Sequence, residues 1–75
     1  MRLKDRQKFV RLANNRVNRA IKALQLISNL ANKSNYDYTS EDVRQIFQAL
    51  KNELKQCEDR FLSTNARETE AFHLQ

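Results

Sequence analysis

At 75 residues and a net charge of +5, the chain makes at most one small domain, whose core is marginal without reinforcement. One cysteine excludes an intrachain disulfide, and one histidine with it excludes a His/Cys zinc cluster. There is no glycine and no proline, which disfavours positive-φ turns, β-bulges and phosphate-cradling loops. Plentiful Leu, Ala, Lys, Arg, Gln and Glu, all good helix formers, point to an all-α fold.

The first predicted element is a long amphipathic helix over about residues 3–33. Leu3, Val10, Val17, Leu24 and Ala31 recur every seven residues, and Ala13, Ala20 and Ile27 recur every seven with an offset of three. This is an a/d seam. Phe9, Leu12, Ala23, Leu26 and Leu30 flank it.

The polar side of this helix is unusual. Lys4, Arg11, Asn18, Gln25 and Asn32 form one seven-residue row, and Lys8, Asn15, Lys22 and Asn29 the next, with Arg19 alongside. A merely solvated helix tends to mix signs, because Glu–Lys pairs at (i, i+4) support it. Residues 1–36 instead hold nine Lys/Arg against a single acid, Asp5, a balance of +8, whereas residues 37–75 carry −3. An acid-poor basic face is an electrostatic footprint for phosphate backbones. Arg makes bidentate phosphate contacts, and Asn bonds sugar hydroxyls or base edges. The candidate nucleic-acid-binding residues are Lys4, Lys8, Arg11, Asn15, Asn18, Arg19 and Lys22. The competing reading is a solvated or protein-paired face, with Glu53, Glu58 and Asp59 partly neutralising Arg16 and Arg19 from the second helix.

The segment 32–42, NKSNYDYTSED, breaks the period. Its Ser, Asn and Asp side chains favour turns and caps. Thr39 or Ser40 is the expected N-cap, with Glu41 and Asp42 beside the positive helix end. Tyr36 and Tyr38 are expected to close one end of a helical bundle against Leu30 and Ile46, with base stacking the alternative.

A second helix follows over about 40–62. Val43, Phe47, Leu50, Leu54, Cys57 and Phe61 step by four and three alternately, and Ile46 and Ala49 lie beside them. The stripe fails at Thr64 and Glu68. Nothing breaks the helix beyond, so it extends as far as 72, or else 63–75 form a tail. Cys57 on the seam reads as a buried structural thiol, since no activating base lies near it. His73 reads as an exposed residue. Phe72 and Leu74 read as a small docking anchor or helix-end packing.

Two helices joined by a short connection pack antiparallel. A register in which facing residue numbers sum to 74 sets Ala20 against Leu54 and Ala13 against Phe61, small against large, as interdigitated packing requires. The expected organisation is a helical hairpin over 1–62 with a tail or extension over 63–75. The flanking residues Phe9, Leu12, Ala23, Leu26, Leu30 and Ile46 then form a second apolar surface for a protein interface. A homodimeric four-helix bundle covers it most simply, and docking on a larger protein is the alternative.

The run from Asn35 to Val43, N-Y-x-Y-T-x-E-D-V, preceded by RVNRAIKALQLI at 16–27, resembles small uncharacterised bacterial helical proteins met near phages and mobile elements. The likeness covers about residues 9–62 and implies context only, with no site residues. In layout alone, the hairpin is similar to the Rop plasmid-copy-number regulators, which dimerise and bind RNA on helix 1. That similarity implies RNA before DNA and transfers no residue.

Nothing supports catalysis, a cofactor or a metal: the acids are scattered and the inward positions apolar. No run approaches the ~20 apolar residues of a membrane span. There is no signal-peptide pattern. The Arg-rich start resembles a transit peptide but has little Ser, and its heptads run on past residue 30. A lone cysteine suits the cytoplasm. The expected function is that of a small, basic, non-enzymatic nucleic-acid-binding accessory or regulatory protein. The alternative is an adaptor, inhibitor or small subunit of a bacterial defence or mobile-element complex, docking through the flanking apolar row and the tail.

Overall fold

The computed structural model describes the backbone of residues 2–73 and the side chains of residues 2–64. The described residues are all-α: α1, Leu3–Ser28; a 3-10 turn, Asn29–Ala31; and α2, Ser40–His73. The chain divides into two units, Met1–Asp37 and Tyr38–Gln75, each described by itself below. Among the described residues none has positive φ, as expected of a chain without glycine.

In the first unit, α1 begins after Arg2, whose extended backbone (φ −79°, ψ 132°) makes it the N-cap. No side chain caps this end. The Arg2 carbonyl accepts from the Arg6 N–H at 3.1 Å, and the Arg2 guanidinium pairs with Asp5 at 2.7 Å. Asp5 in the first turn complements the positive helix end.

The far end of α1 corrects the expected limit at residue 33. The helix stops at Ser28, tightens into the 3-10 turn, and leaves helical geometry at Asn32 (ψ 98°). The cause is local competition for backbone groups. Asn32 Oδ1 accepts from the Ser34 N–H at 3.1 Å and from the Ser34 hydroxyl at 2.7 Å. The Asn32 carbonyl accepts from the N–H groups of Asn35 and Tyr36, each at 3.1 Å. Asn32 is therefore a helix stop, and the polar row through Lys4 ends before it. Upstream, the Ser28 hydroxyl donates back to the Leu24 carbonyl at 3.1 Å.

In the second unit, Thr39 caps α2. Its Oγ1 accepts from the Asp42 N–H at 3.1 Å, and the Asp42 carboxylate accepts from the Thr39 N–H at 2.9 Å. This is a reciprocal capping box with Asp in the acidic place. The Thr39 carbonyl opens the backbone ladder, accepting from the Val43 N–H at 3.3 Å. The helix runs on past residue 62 to His73. The Thr64 hydroxyl turns back onto the Arg60 carbonyl at 3.0 Å, an arrangement that removes a hydroxyl's competition without ending the helix. The side chains of Phe72 and His73, and all of Leu74, lie outside the described residues.

None of the described residues is buried. A single helix cannot cover its own stripe, so both seams stay open: Leu54 is 69% exposed and Phe61 57%. The expected burial of Cys57 is corrected for the same reason, since its thiol is exposed. The half-buried positions are Leu12, Ala13, Ile27, Tyr38, Val43 and Leu50. Tyr36 is exposed.

Candidate nucleic-acid interface

The helical repeat of α1 places Lys4, Lys8, Arg11, Asn15, Asn18, Arg19 and Lys22 on one side, within an arc of about 100°. From Lys4 to Lys22 the row is about 27 Å long at 1.5 Å per residue. All seven side chains are exposed. None of the five cations has an acidic partner within α1, whose one acid, Asp5, is taken by Arg2. The charge on this side is therefore uncompensated along the helix.

Two other α1 cations are held apart from it. Arg6 lies over the Phe9 ring at 5.8 Å, a cation–π contact that draws it toward the apolar side. Arg16 falls, by the helical repeat, between Phe9 and Ala23 in the flanking apolar row. Arg19 stands at the edge of the polar face, between Leu12 and Leu26 in the neighbouring row.

Asn14 stands about 40° beyond that arc, midway between Asn18 and the seam residue Val10. No hydrogen bond from the side chains of Asn14, Asn15 or Asn18 is found among the described residues, unlike Asn32, whose amide is spent on Ser34.

Of the candidate interface residues, Phe9 (50%), Leu26 (68%), Leu30 and Ile46 are exposed, Ala23 is exposed, and Leu12 is half-buried. The helical repeat sets Leu26 on the border of the two sides: it follows Leu12 and Arg19 in one seven-residue row and lies one turn beyond both Lys22 and Ala23.

The sharpest polar cluster lies on α2, and only its acids were legible in advance. The Arg44 guanidinium donates to both Glu41 carboxylate oxygens, Nε to Oε2 at 2.9 Å and Nη2 to Oε1 at 2.6 Å, and through Nη1 to Gln48 Oε1 at 2.9 Å. Gln45 Nε2 also donates to Glu41, at 3.3 Å. The Arg44 hydrogen bonds, and after them that of Gln45, hold the Glu41 carboxyl below its usual range. Glu41 in turn raises Arg44. The spacing (i, i+3) and (i, i+4) makes the set a helix-surface network. Asp59 likewise pairs within its own helix, with Lys55 at 3.8 Å.

Among the described residues no group of three or more His, Cys, Asp or Glu is placed to hold a metal ion, and no helix is long and apolar enough to cross a membrane. No protein-family model, curated protein or solved structure matches the chain.

Proposed function

We propose that the polar face of α1 binds nucleic acid, RNA before DNA, and that the protein is a small accessory or regulatory factor and not an enzyme. One observation carries this reading: five exposed cations share one face of α1, and none of them pairs with the helix's one acid, Asp5, which Arg2 takes. Lys4, Lys8, Arg11, Arg19 and Lys22 contact phosphates, and Asn15 and Asn18 add limited sugar or base contacts. The preference for RNA rests on the likeness in layout to helical-hairpin RNA regulators, and the cytoplasm is the compartment that fits it.

In this reading the two helices pair antiparallel in the register summing to 74, and a second copy covers the flanking row. The open seams favour such cover, because exposed apolar stripes of this length are stable only when something packs on them. The same exposure favours a second reading, in which Phe9, Leu12, Ala23, Leu26, Leu30 and Ile46, with the C-terminal tail, dock on a larger bacterial protein.

Fluorescence anisotropy of the nuclease-treated protein with short labelled RNA and DNA separates the two. Five phosphate contacts to a single strand predict a loss of affinity of about 100-fold between ~50 and ~200 mM salt. Absence of binding at the lower salt overturns the nucleic-acid reading and leaves protein docking.

A further inference from the structure

The cations of the α1 face are not evenly spread. Lys4, Lys8 and Arg11 form one group, and Arg19 and Lys22 a second. Between Arg11 and Arg19 lie eight residue steps, about 12 Å of helix. On the face itself the exposed side chains of that gap are Asn15 and Asn18, with Asn14 about 40° beyond one edge of the arc and Arg16 about 60° beyond the other. No side-chain hydrogen bond of the three asparagines is found among the described residues, so their amides keep both donor and acceptor capacity.

A single phosphate strand is served best by an unbroken row of cations. A groove is served by two cationic groups with neutral hydrogen-bonding side chains between them. The groups meet the two backbones, and the side chains between them meet the groove floor. The ~12 Å gap is also the width of a major groove that admits a helix. In an RNA duplex the corresponding accessible surface is the shallow minor groove, with its 2′-hydroxyls and base edges. Asparagine suits both, as it donates and accepts on one planar group.

We infer that the ligand of the α1 face is a nucleic-acid double helix, spanned across one groove, with Asn15 and Asn18 on the groove and a cationic group on each strand. The inference rests on the nucleic-acid reading above. It adds the strandedness of the ligand and gives the asparagines the role of discriminating it.

The test uses the full chain and three probes of one sequence: single-stranded RNA, duplex RNA and duplex DNA, compared by anisotropy at ~50 mM salt. Wild type is expected to bind a duplex about ten-fold tighter than the single strand. Asn15→Ala with Asn18→Ala is expected to lose about ten-fold on the duplex, two hydrogen bonds' worth, and less than about two-fold on the single strand. Circular dichroism verifies that the variant is helical. Whichever duplex is preferred names the groove. A single strand that binds as tightly as either duplex overturns the inference and leaves nucleic-acid binding standing. An unchanged duplex affinity in the asparagine variant overturns it as well. No binding of any probe overturns the reading beneath it.

Discussion

At the scale of single residues, three side chains with separate tasks set the end of α1 and the start of α2. Asn32 ends the first helix by taking over the backbone and hydroxyl of Ser34. Thr39 and Asp42 start the second by capping each other's N–H groups. Thr39→Ala removes one side of that box and is expected to cost α2 about 1 kcal/mol. Thermal unfolding followed by circular dichroism measures it, and an unchanged midpoint contradicts the role given to Thr39. Glu41 provides a pH probe. Its carboxyl is held low in the folded chain, chiefly by Arg44. Such a group adds stability above its unfolded pKa and loses it as pH falls through the lower folded value. Arg44→Ala is therefore expected to raise the Glu41 pKa toward the ordinary carboxylate range, read by NMR titration. A Glu41 that titrates identically in both proteins contradicts the geometry. The network is fully solvent-exposed, so its effect on global stability is small.

At the scale of the elements, much was legible because periodicity is a strong signal. The start of α1 at Leu3, the start of α2 at Ser40 and the acids of its first turn all follow from heptad counting and capping chemistry. The end of α1 was less legible. Asn29 and Asn32 continue the polar rows by number, and only the hydrogen bonds of Asn32 show that its amide serves the turn instead. Leu26 borders both sides of α1, since the seven-residue row that carries it runs Leu12, Arg19, Leu26. The asparagines also bear on the stability of α1. Asn is a weaker helix former than Ala by about 0.5 kcal/mol. The Asn15→Ala, Asn18→Ala variant is thus expected to be more helical than wild type while binding worse, a combination that loss of folding cannot produce. On α2, Leu54 lies at the centre of the narrow stripe from Val43 to Phe61. Leu54→Asp sets a charge where the seam is proposed to pack, and is expected to abolish cooperative unfolding. A variant that stays helical and unfolds as wild type does contradicts the seam.

At the scale of the whole molecule, the balance is between two kinds of surface. Both seams are apolar and open in the described residues, and a chain of this size cannot leave them so without a large share of its stability. The polar face of α1 carries cations that do not pair with the helix's one acid, Asp5. In the proposed reading the first surface is covered by self-association or a protein partner, and the second contacts phosphates. One molecule satisfies both if the seams pair within a dimer and the basic faces look outward. Fold class was readable from composition alone, since a chain without glycine or proline and rich in helix formers has few other solutions. The partner was not, because phosphate binding and simple solvation draw on the same residue types, and only a titration separates them. The direct test of the central claim is charge reversal on the face: Arg11→Glu with Arg19→Glu, measured by anisotropy on RNA at ~50 mM salt, where phosphate contacts are strongest. Both residues lie off the seams, so helicity is expected to persist. Loss of binding with helicity intact is the predicted result, and binding equal to that of wild type contradicts the assignment of the α1 face.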